Sequence, residues 1–236
     1  MTITKKYDLK MIFDQAGDLV SEDFMDINET QSIISFEEAC LKLKEKNNNS
    51  YSMIELGSNQ AYYSCLFRAI IDGVGNNIKC KNILLEPTPS HMERGIRHFE
   101  KNGFTGLYER AGIGHYWCWN DRWHESTIPS YTIDELMEKH GISDLDVLHS
   151  DIDGNEIRLL ETSTSAFKDK KINYIFLLTH GIWNEREDIY KSNIIKNGED
   201  RHAVSKKFLL DCGYELVKEC DGGTVGYDGL LVFKRG

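Results

Sequence analysis

Five polar residues that could do chemistry stand at the ends of short apolar runs. Glu55 and Glu86 close the first two runs, and Asp151, Asp153 and His180 follow two later ones. An apolar run of four to eight residues bounded by turn signals predicts a buried strand. In an open α/β sheet the ligand lies at the carboxyl ends of the strands. We therefore expect these five side chains to surround one ligand site.

The turn after the first run, residues 55–61 (ELGSNQA), favours one class of nucleotide ligand. It lacks the later glycines of the G-x-G-x-x-G pattern, which bring backbone close to a pyrophosphate. An acid before the glycine would repel a phosphate but could accept a hydrogen bond from an ammonium or hydroxyl group. S-adenosylmethionine has no phosphate and carries an ammonium group, so the turn favours this cofactor. An ordinary turn of another α/β protein is the alternative.

Glu86 ends the second predicted strand, where an acid typically accepts hydrogen bonds from ribose hydroxyls. With Glu55 one strand–helix unit earlier, it narrows the prediction to an adenosyl ligand. The predicted cofactor-binding residues are Glu55, Gly57, Ser58, Asn59, Tyr63, Glu86, Pro87, Ala111, Gly112 and Asp151.

Three of the polar residues are candidates for catalysis. Methyl transfer to an alcohol requires a group that accepts the hydroxyl proton, and we assign this chemistry to Asp151, His180 and Asp153. A structural role is an equal alternative for His180, and it is favoured for His149 within the fourth predicted strand. Asp151 and Asp153 could also bind a divalent metal such as Mg²⁺, although we do not expect one.

The elements that must position these side chains alternate between strands and helices. Strands are predicted at residues 81–86, 105–111, 145–150 and 172–178, and a closing pair at 214–218 and 230–234. Capping boxes at Ser35, Ser90 and Thr132 predict three helix starts. The alternation predicts a doubly wound sheet with helices on both faces.

The domain organisation follows from the same pattern. Residues 1–50 are interpreted as an N-terminal helical arm that packs on the core, and residues 51–236 as a single domain. Segments 114–130 and 182–203 are interpreted as insertions that form a lid or an acceptor wall. The first contains a run of aromatic residues, which could instead form a small separate core.

Composition excludes several classes of partner. The net charge of -10 disfavours nucleic acid, and no apolar run in the chain of 236 residues reaches the length of a membrane span. The six cysteines show no C-x-x-C pair, which favours reduced thiols. With no hydrophobic signal core near residue 1, we expect a cytoplasmic protein. The sequence is compatible with either a monomer or a homo-oligomer.

Four sequence blocks, in order, resemble FkbM-type methyltransferases. Residues 54–64 (IELGSNQAYYS) resemble the family pattern D-x-G-A-N-x-G-x-Y-S, and residues 85–89 (LEPTP) with a later N-G resemble F-E-P-x-P…N-G. Residues 131–136 (YTIDEL) resemble T-L-D-x-L, and residues 146–156 (DVLHSDIDGNE) resemble D-L-L-K-I-D-V-E-G-x-E. The chain departs from the family at Ala61 (glycine), His149 (lysine) and Asp153 (glutamate).

The resemblance implies both a fold and an activity. It implies the Rossmann-like class I methyltransferase fold, a seven-stranded, mostly parallel sheet with an antiparallel last strand. It also implies S-adenosylmethionine as methyl donor and a hydroxyl of a sugar, nucleotide-sugar or related small metabolite as acceptor. A NAD(P)-dependent Rossmann oxidoreductase and a non-catalytic adenosyl-binding protein are the alternatives.

Overall fold

The computed structural model describes residues 6–10, 27–46, 48–72, 79–114, 128–180, 192–195, 199–224 and 227–236. In chain order these ranges contain α1 (Ile27–Glu45), β1 (Ser50–Leu56), α2 (Tyr62–Asp72), β2 (Lys79–Leu85), α3 (Pro89–Lys101), β3 (Leu107–Glu109), β4 (Gly112–Ile113), β5 (Ser130–Tyr131), α4 (Ile133–Lys139), β6 (Leu145–Ser150), α5 (Glu156–Thr162), α6 (Thr164–Lys168), β7 (Ile172–Thr179), α7 (Arg201–Asp211), β8 (Tyr214–Thr224) and β9 (Tyr227–Arg235).

Seven of the strands form one sheet in the order β3-β2-β1-β6-β7-β9-β8. The neighbours from β3 to β7 pair in parallel, whereas β9 pairs antiparallel with both β7 and β8. This confirms the predicted seven-stranded, mostly parallel sheet with an antiparallel last strand. The chain runs outward from β1 to β3 and then returns to place β6 on the other side of β1. A ligand crevice is expected at this reversal of strand order.

The sheet has a buried core on each face, because successive side chains of a strand point to opposite faces. From β1, Ile54 and Leu56 belong to a core that also contains buried residues of α4, α5, α6 and α7. Tyr51 and Met53 belong to a second core with buried residues of α1 and α2. Helices therefore cover both faces, as predicted.

The third strand of the sheet is shorter than the predicted range 105–111, and a separate short strand follows it. Residues 107–109 form β3 in the main sheet, while Gly112 and Ile113 leave that sheet as β4 and pair in parallel with β5. The amide of Gly112 donates to the Pro129 carbonyl oxygen at 2.9 Å, and the amide of Gly114 donates to the Tyr131 carbonyl oxygen at 2.7 Å. The chain therefore turns away from the sheet edge directly after the third strand.

Only one of the three predicted helix starts is confirmed. At α4 the Thr132 hydroxyl accepts from the Glu135 amide at 3.1 Å, and the Glu135 carboxylate accepts from the Thr132 amide at 2.7 Å. Ser35 lies inside α1, so the prediction that a helix begins there is wrong. The prediction at Ser90 is slightly late, because α3 begins at Pro89 with Thr88 as its N-cap.

Within the described ranges, no helix combines the length and apolar character that crossing a membrane requires.

Candidate functional site

The turn between β1 and α2 fits against the neighbouring strand ends. Gly57 has φ +67°, and a Cβ added there would lie 1.9 Å from the carbonyl oxygen of Asp151. The amides of Gly57 and Ser58 donate to the Leu85 carbonyl oxygen at 3.0 and 3.1 Å, and the amide of Asp151 donates to the Leu56 carbonyl oxygen at 3.1 Å. The glycine is therefore required by the close approach of two turns, and this approach fixes the position of Asp151.

Two further residues of this turn have left-handed backbone. Asn59 and Ala61 have φ +41° and +61°. An L-residue other than glycine pays about 1–2 kcal/mol in this region. Ala61, which is fully buried, stands where the FkbM pattern has glycine, so its backbone angle gives a physical reason for that preference.

Glu55 lies under the start of α2. Its side chain is buried, and Oε2 accepts from the Ser64 amide at 3.0 Å. Burial raises the pKa of Glu55 to about 8, although hydrogen bonds from Ser64 and the Tyr63 amide oppose this rise. An acid near the first turn of a helix stabilises its amides. The structure therefore places this predicted cofactor residue in contact with the helix start.

Glu86 connects the first two turns of the sheet. Its Oε2 accepts from the Asn59 amide at 3.0 Å, and its Oε1 accepts from the Thr88 amide at 2.8 Å. An ionised carboxylate offers about four acceptor positions, so two stay available for ligand hydroxyls. This arrangement brings Glu86 and Asn59 together, as a shared role in ligand binding requires.

Tyr63 points toward α1. Its ring stacks on His149 with ring centroids 3.7 Å apart, and its hydroxyl donates to the Ser32 hydroxyl at 2.9 Å. His149 is buried, and burial lowers its pKa to about 4. Both residues therefore belong to the core between the sheet and α1. This position agrees with a structural role for His149.

The remaining predicted cofactor residues lie around the ends of β2 and β3. Pro87 is half-buried directly after Glu86. Ala111 and Gly112 are buried where the chain leaves the main sheet, and Ala111 packs in the core that contains Ile113.

Asp151, Asp153 and His180 come together at the carboxyl ends of β6 and β7. One ligand atom from each of the three residues lies within 4.8 Å of the others. His180 Nε2 is 3.2 Å from Asp151 Oδ1 and 3.8 Å from Asp153 Oδ1. The imidazole side chain is only 2% exposed, whereas those of Asp151 and Asp153 are 44% and 62% exposed. The cluster therefore presents two carboxylates to solvent above a buried histidine.

Glu156, the first residue of α5, completes this cluster from beneath. Its Oε1 lies 2.8 Å from His180 Nδ1 and accepts from the Gly154 amide at 3.1 Å. Its side chain is 1% exposed. The candidate site residues chosen from the sequence did not include Glu156. The FkbM block, which ends in the same glutamate, was the one signal that pointed to it.

Two carboxylates, those of Asp151 and Glu156, determine the protonation of His180. Burial alone would lower its pKa, but hydrogen bonds with Asp151 and Glu156 outweigh burial and raise the pKa to about 10. Burial and the charge of Asp151 also raise the pKa of Asp153, although solvent screens this exposed side chain. The site as it stands thus holds an imidazolium between carboxylates, so His180 alone is a poor proton acceptor at neutral pH.

The predicted insertions are only partly within the described ranges. The aromatic run at residues 115–127 lies outside them, and of the segment 182–203 only 192–195 and 199–203 are described. Glu161 accepts from the Ser192 hydroxyl at 2.6 Å and the Ile194 amide at 3.1 Å. Arg201, the first residue of α7, donates from Nη1 to the Gly154 carbonyl oxygen at 2.7 Å. The end of this segment therefore contacts the loop that carries Asp153.

A family model described as the methyltransferase FkbM domain matches residues 47–216. The chain belongs to the FkbM methyltransferase family. This FkbM protein is accordingly a methyltransferase that depends on S-adenosylmethionine. A comparison with curated proteins finds no significant match.

Solved methyltransferase structures resemble this FkbM protein at low identity. The methyltransferase domain of METTL16 is 10% identical, with a TM-score of 0.52, covering 98% of this chain and 75% of that chain. An S-adenosylmethionine-dependent methyltransferase from Clostridium acetobutylicum is 8% identical, with a TM-score of 0.48, covering 93% of this chain and 96% of that chain. Fibrillarin from Aeropyrum pernix with natively bound S-adenosyl-L-methionine is 12% identical, with a TM-score of 0.45, covering 78% of this chain and 66% of that chain. The METTL16 likeness establishes the class I fold.

Proposed function

We propose that this FkbM protein O-methylates a hydroxyl of a sugar, nucleotide-sugar or related small metabolite. The observation that carries the proposal is the cluster of Asp151, Asp153 and His180 beside the Gly57 turn. It offers partly exposed acceptors of hydrogen bonds where two neighbouring parallel strands end. When bound, S-adenosylmethionine supplies a methyl group that is already activated on a sulfonium.

The chain's residues at the turn fit this cofactor chemically. The Glu86 carboxylate would repel a phosphate group, but a cofactor without phosphates avoids this cost. Glu86 retains acceptor positions for ribose hydroxyls, and Asn59 is fixed beside it through its amide. We assign recognition of the ribose to Glu86. We assign close backbone contact with the cofactor to Gly57, Ser58 and Asn59.

The acceptor is inferred from the charge and exposure of the cluster. Asp151 and Asp153 can accept hydrogen bonds from neutral hydroxyls, as a sugar would offer, and they disfavour an anionic group at the same place. The net charge of -10 likewise disfavours a nucleic acid acceptor.

The roles of the three residues follow from their contacts. The hydroxyl proton must leave as the oxygen attacks, and a positioned carboxylate can accept it. We assign this to Asp151 and Asp153, the two exposed members of the cluster. His180 is buried and bonded to Glu156, so it acts by holding Asp151 in place.

Cofactor binding tests the activity class. By calorimetry, S-adenosylmethionine and its demethylated product should bind the wild type, whereas NAD and NADP should not. Glu86→Gln should weaken binding about 10-fold, because a charged acceptor of hydrogen bonds contributes about 1.4 kcal/mol more than a neutral one. Glu93→Gln, on the exposed side of α3, is the control and should bind like the wild type. Binding of NAD alone would favour the oxidoreductase.

Turnover tests the catalytic assignment. With methyl-labelled S-adenosylmethionine and a small-metabolite extract, the wild type should label a hydroxylated product. Asp151→Asn should slow labelling about 10²–10⁴-fold, the usual contribution of a positioned acid or base. Asp144→Asn removes the same charge at the opposite end of β6 and should retain wild-type activity. Cofactor binding without any labelled product would instead support a non-catalytic protein.

A further inference from the structure

We infer that Asp151, Asp153 and His180 bind one divalent transition-metal cation, best matched by Mn²⁺. The inference rests on the proposed function only in one respect, namely that the cation would face the acceptor hydroxyl. It revises the sequence-based expectation that no metal is bound, because the contacts of His180 could not be seen in the sequence.

One ligand pair already has the spacing of a single-ion site, and a second is slightly too far apart. Two ligands about 2.2 Å from a metal and about 90–110° apart lie about 3.1–3.6 Å from each other. His180 Nε2 lies 3.2 Å from Asp151 Oδ1 and 3.8 Å from Asp153 Oδ1. Small side-chain rotations, which the exposed Asp153 can make, would bring the three donors around one ion.

Glu156 supports the histidine as a metal ligand. A metal-binding histidine usually donates its other ring N–H to a carboxylate, which fixes the tautomer and the ring orientation. Glu156 Oε1 lies 2.8 Å from His180 Nδ1, and Nε2 is the nitrogen that faces the two aspartates. The ring is thus already held in the orientation that a metal site requires.

The second carboxylate oxygen of Glu156 is a separate observation on the charge of this cluster. The second oxygen of Glu156, Oε2, is buried and has no hydrogen-bond partner among the described residues. A buried carboxylate is costly unless its charge is compensated. Arg201 approaches this loop and donates to the carbonyl oxygen of Gly154. A divalent cation on His180 Nε2 would replace the proton there and add one positive charge, so the three carboxylates would be compensated more fully than by the imidazolium alone.

The mixture of ligands indicates the class of metal. Mg²⁺ prefers oxygen ligands alone, whereas imidazole favours transition metals and carboxylates favour Mn²⁺ among them. Because Asp151 and Asp153 are partly exposed, the ion would keep open positions, as catalytic metal sites do. A hydroxyl oxygen bound there would have a lowered pKa, and a carboxylate oxygen of Asp151 or Asp153 that does not face the ion would accept its proton more readily.

Titration with MnCl₂ tests the site directly. The protein is treated with EDTA, dialysed and titrated while free Mn²⁺ is followed by electron paramagnetic resonance. One equivalent should bind saturably to the wild type, at least 10-fold more tightly than Mg²⁺ in competition. Asp153→Asn and Glu156→Gln should each weaken binding about 10–100-fold. The control Asp144→Asn should bind like the wild type, and circular dichroism should show all variants folded.

Three results would overturn the inference. The first is that the wild type shows no saturable binding of Mn²⁺. The second is that Asp153→Asn binds Mn²⁺ as tightly as the wild type does. The third is that the wild type binds Mg²⁺ as tightly as Mn²⁺ and that Glu156→Gln does not change Mn²⁺ binding. Calorimetry with S-adenosylmethionine on the same samples separates the two proposals. If the protein binds S-adenosylmethionine but not Mn²⁺, only the metal site is contradicted. If it binds Mn²⁺ but not S-adenosylmethionine, only the methyltransferase proposal is contradicted.

Discussion

Gly57→Ala should lower the free energy of unfolding by about 2–5 kcal/mol. The added Cβ would lie 1.9 Å from the backbone oxygen of Asp151, so one of two turns must move. Overpacking of this kind costs about 1–3 kcal/mol, and an alanine at positive φ adds about 1–2 kcal/mol. Urea unfolding of wild type and variant measures the change. Because the displaced atom belongs to Asp151, the variant should also lose cofactor binding.

Gly103→Ala separates the steric effect from the backbone effect. Gly103 has φ +71°, close to the +67° of Gly57, but nothing lies within 4 Å of a Cβ added there. Its substitution should therefore cost only the backbone strain, about 1–2 kcal/mol. If both alanine variants are destabilised equally, the close approach of Gly57 to Asp151 is not what requires the glycine.

The sequence was sufficient to predict the limits of the central strands, because their side chains are buried on both faces of the sheet. All six residues of β6 are buried, and the predicted range 145–150 matches it. Three of its residues, Leu145, Val147 and Leu148, are apolar, and the turn residues DIDG follow directly, so the limits of this strand can be predicted locally. The third strand was predicted too long, because β3 is only three residues, none of them fully buried. The short strand β4 was not predicted, because it pairs with β5, which is distant in sequence.

Two helix starts were wrong because distant contacts or proline outweighed the capping signal. Helix α1 continues eight residues before Ser35, where Ile33 is buried in the core and Ser32 accepts a hydrogen bond from Tyr63 of α2. These contacts stabilise turns that the local pattern does not predict. At α3, Pro89 occupies the first turn, a position that proline favours, so the helix begins before Ser90.

The sequence predicts that the site residues lie at the ends of strands, but it does not predict which side chains contact one another. Strand ends place Asp151, Asp153 and His180 at the same edge of the sheet, and the structure brings them within 4.8 Å. The contact of Glu156 with His180 joins residues on α5 and after β7, so it depends on the crossover between them. Glu55 likewise contacts the amide of Ser64, nine residues later, which strand position alone does not reveal.

Glu55→Gln should change how stability depends on pH. Burial raises the pKa of Glu55 from the usual 4.5 to about 8 in the folded state. Between these values the folded protein holds one more proton than the unfolded chain, so stability falls as pH rises, by about 1.4 kcal/mol per pH unit. The contribution is full below pH 4.5 and is lost as pH rises through about 8. The total change is on the order of 5 kcal/mol.

The glutamine variant lacks this proton but retains an oxygen that accepts from the Ser64 amide. Urea unfolding between pH 5 and 9, with EDTA present so that no metal contributes, should show the variant becoming progressively more stable than the wild type as pH rises. Glu38→Gln, on the exposed side of α1, is the matched control and should follow the wild-type profile. Parallel profiles for Glu55→Gln and wild type would mean that Glu55 is not held as a neutral acid beneath α2. Its place in the site would then be that of an ionised carboxylate available to the cofactor's ammonium group.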